Sequence, residues 1–148
     1  MQTIGFDCLQ PHYSLFNRAE YERELAAACA DQQVGVIPYS PLAAGFATGK
    51  YRREDRNPDT TRRSSGLVSR LIDDEDAYRA LDVLAEIGQA HNAGMAHVAL
   101  AWLLAKPTVT APIIGARTVS QLREVLGAVD VRLSDHDVAR IDAATAKY

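Results

Sequence analysis

Cysteine is scarce in this 148-residue chain: Cys8 and Cys29 stand alone and form no CxxC pair. Two isolated cysteines exclude a disulfide framework and read as reduced core residues. The four histidines, His12, His91, His97 and His136, fall in no HExxH motif and no close Cys/His cluster, so no metal site is expected. No apolar run approaches the roughly 20 residues of a membrane span. Met1-Gln2-Thr3 lacks the charged and apolar regions of a secretory leader, which makes a cytoplasmic location the expectation. Positive charge is not in excess. A net charge of −3 argues against a general affinity for nucleic acid or anionic membrane. Internal repeats, low-complexity tracts and interdomain linkers are also missing, so residues 1–148 read as one domain.

The chain does have enough apolar sequence for a core: 47% of its residues are hydrophobic and 24% charged, the balance of a globular domain. Charge is unevenly spread. Between Lys50 and Arg70 seven basic residues face three acids, a local excess of four positive charges that leaves the remainder near −7. Such a loop suits a phosphate, or is simply a solvated surface.

Strand and helix signals alternate. Ile4–Leu9 reads as a strand stopped by Pro11, which supplies no ladder donor. Glu20–Ala30 reads as an alanine-rich helix with Leu25 and Cys29 on one face. Val34–Ile37 is an apolar, β-branched strand, followed by a long irregular stretch over Ala43–Leu71. Asp76–His91 shows apolar residues at Tyr78, Leu81, Leu84 and Ile87, the spacing of an amphipathic helix. Met95–Leu104 is apolar all round and reads as a buried helix. Val109–Ile114 is a third strand candidate. Thr118 or Ser120 would cap a helix reaching Gly127, and Ser134 a last helix over Asp135–Ala146. Strands alternating with helices predict βα units and a parallel sheet, an α/β fold.

The segment Val34–Tyr51, VGVIPYSPLAAGFATGKY, places small side chains and a lysine directly after a buried strand. That chemistry seats a phosphate-bearing ligand at the C-terminal end of a parallel strand. Four segments in register resemble the aldo-keto reductases. They are Gln10–Arg18, then Val36–Leu42 with Gly49-Lys50-Tyr51, Val98–Leu104, and Pro112–Thr118 with Gln121-Leu122. The spelling is closer to the bacterial and potassium-channel β-subunit branch. The resemblance implies strands six to eight of a (β/α)8 barrel, about three βα units plus extra helices, and NADP(H) as cofactor.

The resemblance also implies roles. Gln10 would hydrogen-bond the nicotinamide carboxamide, and Tyr39 would stack on its ring. Ser40 and Leu42 would contact the pyrophosphate, with Lys50 adding positive charge. Gly115 would let the backbone approach the adenosine half. Arg117 and Gln121 would meet the 2′-phosphate, a match of guanidinium to phosphate that favours NADP(H). Glu124 would reach the adenine, although Val125 stands where the family has asparagine. Without the resemblance, Tyr39 is a packing tyrosine, Ser40 a turn residue, Arg117 a solvated cation, and Gln10 and Gln121 surface polars. His91 and His97 look structural.

The family's tyrosine, lysine, aspartate and histidine tetrad lies on its first four strands, and no residue here matches it. The expectation is the C-terminal part of a truncated NADPH-dependent aldehyde or ketone reductase. It would carry cofactor residues but no catalytic ones, and would be inactive alone. A carbonyl substrate would bind only in a completed barrel. The alternative is a non-catalytic NADP(H)-binding or regulatory module. Open sheet edges predict self-association or a complementing N-terminal half.

Overall fold

The computed structural model describes residues 5–56 and 66–148. Its sheet is small and parallel. Strand β1 (Cys8–Leu9) pairs with β2 (Gly35–Val36) in the register Cys8 with Gly35 and Leu9 with Val36. The pairing continues as isolated parallel bridges, His12 with Tyr39 and Val36 with Val109, so β2 lies in the middle. Amides on alternate residues of the central segment bond to one neighbour: Gly35, Ile37 and Tyr39 donate to Asp7, Leu9 and Pro11 at 2.9–3.1 Å. On its other side, Val36 donates to Thr108 at 3.0 Å, and Ile113 donates to Pro38 at 2.8 Å. Pro11 and Pro38 lack an amide but still offer carbonyls, so they thin the ladder without ending the alignment.

Three expectations need correction here. The first strand is two residues long within the described segment rather than spanning Ile4–Leu9, and Ile4 itself lies outside it. The third strand, expected over Val109–Ile114, is a single bridge at Val109. Thr110 and Ile113 each make a backbone bond to the central segment, but the prolyl residue between them cannot donate. The stretch Ala43–Leu71 is not wholly irregular. It begins with a 3-10 segment, Ala43–Thr48, and ends with helix α2 (Gly66–Leu71). The arginines Arg62 and Arg63 lie outside the described residues.

The remaining helices follow their sequence signals. A π turn, Tyr21–Leu25, runs into α1 (Ala26–Asp31), so the expected helix forms with one wide turn. Helix α3 (Glu75–Ala90) starts at Asp74, whose carboxylate accepts the Asp76 amide at 3.0 Å. Its buried face holds Ala77, Tyr78, Leu81, Leu84 and Ile87. Gly88 is required where the next turn folds back, because a Cβ there would sit 2.5 Å from the Ala93 carbonyl oxygen. Helix α4 (Met95–Leu104) is buried from Val98 through Leu103. Helix α5 (Val119–Leu126) begins at Thr118, whose hydroxyl accepts the Gln121 amide at 3.1 Å. A 3-10 turn, Gly127–Asp130, then leads to α6 (Asp135–Thr145), which opens on a full capping box between Ser134 and Asp137.

Helix α3 packs against α4 and α6. Trp102 is fully buried and joins the layers. Its indole donates to Asp142 at 3.0 Å, its ring lies 5.5 Å from Tyr13, and Lys106 sits 4.3 Å above it. Arg18 completes the joint, donating to Glu22, Thr145 and the Asp142 carbonyl. Cys29 is buried as expected, whereas Cys8 is exposed on the edge strand. Among the described residues no helix is long and apolar enough to cross a membrane.

Candidate functional site

The loop after β2 is built from left-handed backbone. Ser40, Ala43 and Ala44 have φ of 55°, 49° and 55°, and Gly45 follows at 95°. Non-glycine residues rarely adopt such angles, and they cluster where surrounding structure imposes them. Here local bonds do so: Ala43 donates to the Ser40 carbonyl at 2.9 Å, Gly45 to the Leu42 carbonyl at 2.8 Å, and Ala44 to the Ser40 hydroxyl oxygen at 3.3 Å. Ser40 uses an oxygen lone pair in that bond, so its O–H remains to donate. The small side chains of Ala43, Ala44 and Gly45 make the doubling-back sterically feasible.

This loop forms one wall of a cleft of about 750 Å³. The N-terminus of α4 forms its floor, and the segment 113–117 with α5 forms the other wall. Seven of the nine predicted site residues line it. Ser40, Leu42 and Lys50 come from the loop after β2, and Gly115, Arg117, Gln121 and Glu124 from the opposite wall. Gln121 accepts the Arg117 amide through Oε1 at 2.9 Å, which leaves its NH2 as a donor. Lys50 places its ammonium against Gly45, where a Cβ would lie 2.7 Å from Nζ. The ammonium also lies 5.3 Å from the centre of the Tyr51 ring. Arg117 is exposed and makes no ion pair among the described residues. Two cations, a hydroxyl, an amide NH2 and a glycine-backed wall form a donor set suited to an anionic ligand. Glu124 adds one negative charge at the far end.

Gln10 and Tyr39 lie outside this lining. Gln10 is exposed just past β1. Tyr39 is half-buried, 45% exposed, and one face of its ring stacks on His12 at 4.9 Å and 14°. Burial holds the His12 imidazole below its ordinary value, with Glu20 raising it and Arg70 lowering it. The basic loop divides. Lys50 faces the cleft, but Arg53 pairs with Glu75 and Asp82 at 2.7 and 2.8 Å, and Arg56 with Asp73 at 3.3 Å. Those two arginines are paired at the start of α3 and its flank rather than turned to the cleft.

Sequence reasoning did not assign Gly94, Met95 and His97 to the site, yet all three line the cleft. Met95 lies against Gly49, whose φ of 76° closes the 3-10 segment. His97 accepts the Gly94 amide through Nδ1 at 3.1 Å, so the helix start keeps a partner although Gly94 offers no side chain. The available signal was positional: residue 97 is the third of α4, where a capping side chain reaches back to the N-cap amide.

A ligand cleft at the carboxyl end of parallel strands, flanked by helices, defines an α/β protein with an anion-suited site. The chain belongs to the aldo/keto reductase family, a family of oxidoreductases that use nicotinamide cofactors: the family's model matches residues 1–146. The uncharacterized oxidoreductase YrpG of Bacillus subtilis is 38% identical over 138 residues, covering 93% of this chain and 40% of that protein. L-glyceraldehyde 3-phosphate reductase of Escherichia coli is 33% identical, with 90% of this chain and 40% of the relative aligned. A probable voltage-gated potassium channel subunit beta of Arabidopsis thaliana is also 33% identical, over 88% of this chain and 40% of its own length. Among solved structures, the thermostable aldo-keto reductase Tm1743, in complex with the inhibitor epalrestat, matches with a TM-score of 0.64 and 29% identity. The match covers 93% of this chain and 39% of that one. The chain thus spans about two fifths of the length of the curated relatives it matches.

Proposed function

We propose that this chain is the cofactor-binding portion of an NADP(H)-dependent aldehyde or ketone reductase, equivalent to strands six to eight of a (β/α)8 barrel. The observation that carries the reading is the convergence of Ser40, Lys50, Arg117 and Gln121 on one cleft, from the loop after β2 and from the segment that runs into α5. When bound, NADPH supplies a hydride from its nicotinamide ring. Ser40 donates its hydroxyl to a pyrophosphate oxygen, with Lys50 adding charge from the same loop. Arg117 offers its guanidinium, and Gln121 its NH2, to the 2′-phosphate. Gly115 leaves the backbone open to the adenosine half, and Glu124 accepts from the adenine. Leu42 packs against the pyrophosphate from the loop wall. Tyr39, backed by His12, presents its ring to the nicotinamide, and Gln10 bonds the carboxamide.

Acid–base chemistry on the carbonyl is expected from residues outside this chain. The chain alone therefore binds cofactor without turning it over. Calorimetric titration with NADPH beside NADH tests the reading. Selective binding of NADPH supports it, and absence of binding by either cofactor overturns it. Carbonyl-dependent NADPH oxidation by the chain alone contradicts the division of labour. A second reading, a non-catalytic NADP(H)-responsive module, gains support from the channel-subunit relative. It predicts a stable oligomer that binds cofactor reversibly and gains no activity from an N-terminal half.

A further inference from the structure

We infer that His97 is a positioning residue that fixes the α5 wall of the cleft, and with it the groups that separate NADPH from NADH. The inference rests on the NADP(H) reading above. Helix α5 buries none of its eight residues, and the packing nearest to it is that of the following 3-10 turn, whose Ala128 is buried against α4. The bonds at its start are local. Thr118 accepts the Gln121 amide and Gln121 accepts the Arg117 amide, which shapes the segment without tying it to the rest of the molecule.

The tie comes at the other end. His97 Nε2 lies 2.5 Å from the Glu124 carbonyl oxygen, and its Nδ1 lies 3.1 Å from the Gly94 amide nitrogen. The Gly94 amide can only donate, and the Glu124 carbonyl can only accept. One neutral tautomer, with the proton on Nε2, satisfies both. Among the described residues this is the one hydrogen bond between α5 and another helix. Its other end is anchored in α4, whose next six residues, Val98–Leu103, are buried. Gly127 sits alongside, where a Cβ would lie 3.4 Å from Nε2, and Ala128 is buried just beyond.

This geometry makes the Glu124 end of α5 a pivot. Val119 lies about 7.5 Å along the axis from Glu124, so a tilt of about 10° about that point moves the start of the helix by about 1.3 Å. Arg117 precedes that start by two residues and takes the larger share of the shift, and Gln121, one turn from Glu124, takes less. A shift of this size is enough to break hydrogen bonds to a phosphate. Both ring nitrogens of His97 are engaged by Gly94 and Glu124, so it acts through α5 rather than by offering a polar group to the ligand.

The test uses the 148-residue chain as wild type, His97→Ala and His97→Gln. NADPH and NADH are titrated by calorimetry, and amide hydrogen exchange is followed along α5 and α3. His97→Ala is expected to weaken NADPH binding about tenfold and NADH binding less, because the 2′-phosphate contacts are displaced. Glutamine carries one acceptor oxygen and one donor amide, so His97→Gln is expected to restore most of the selectivity. Exchange at Leu122–Leu126 should quicken in His97→Ala while α3 stays protected, which separates loss of the tie from loss of the fold. NADPH affinity and α5 protection unchanged in His97→Ala would overturn the inference. If wild type binds neither cofactor, the cofactor reading fails, and the exchange data alone decide: quickened α5 exchange supports the tie, and unchanged exchange refutes it.

Discussion

At the residue scale, two side chains make opposite demands. Tyr51 is 1% exposed, and its hydroxyl has no hydrogen-bond partner among the described residues. Its ring is well placed, stacked 5.6 Å from Phe46. The hydroxyl therefore loses water on folding and recovers little. Tyr51→Phe is expected to stabilise the chain by roughly 0.5–1.5 kcal/mol in urea unfolding. A loss of stability would mean that an internal water serves the hydroxyl. Gly45 has little such latitude. A methyl group there would meet Lys50 Nζ at 2.7 Å, on a backbone with φ of 95°. Gly45→Ala is expected to cost about 1 kcal/mol or more of stability. It should also weaken NADPH binding by displacing the ammonium, a change that calorimetry would show. Neither residue could be judged from sequence, where Tyr51 belongs to a motif and Gly45 to a run of small residues. An orphaned hydroxyl and a left-handed φ exist only once distant atoms are assembled.

At the element scale, α6 depends on its first turn. Ser134 Oγ accepts the Asp137 amide at 3.2 Å, and the Asp137 carboxylate accepts both the Ser134 hydroxyl at 2.7 Å and its amide at 3.0 Å. Ser134→Ala is expected to cost about 1 kcal/mol in urea unfolding. The Ser134 bonds, with His91 beside them, hold the Asp137 pKa down at about 2. A carboxylate depressed in the folded state stabilises above its unfolded pKa of about 3.9 and loses that contribution as pH falls toward the folded value. The stability gap between wild type and Asp137→Asn should therefore be full above about pH 4 and close near pH 2. A gap that stays constant across that range would refute the assignment. This cap was legible because serine, spacing and helix lie within four residues, and α3 and α4 were legible for the same local reason. The sheet was not. A two-residue ladder is defined by partners 27 positions away, Cys8 to Gly35 and Leu9 to Val36. Helix α2 has six residues and ends in a stretch read for its charge, so no full period announced it. The cleft was legible in seven of nine residues because its two loops each carry a compact motif. His97 was not, since its role depends on a carbonyl 27 residues later.

At the scale of the whole molecule, the sheet and the surface point the same way. Three parallel segments leave both outer backbones without a strand partner among the described residues. Large apolar side chains are exposed: Phe6 at 87%, Val119 at 66%, Leu126 at 51% and Val129 at 54%. Val119, Leu122 and Leu126 fall three and four residues apart, so α5 presents one apolar stripe to solvent. Unpaired strand edges and a contiguous apolar face favour association with a chain that can cover them. The expectation is concentration-dependent self-association, read by sedimentation velocity, or capture of an N-terminal barrel half of a family member in a defined one-to-one complex. Leu122→Glu with Leu126→Glu should weaken that association while leaving the α3–α4–α6 layer folded, because neither leucine belongs to the buried core. A monomer at all concentrations, with one cooperative unfolding transition and no binding to an N-terminal half, would show that the exposed stripe and edges are tolerated rather than covered.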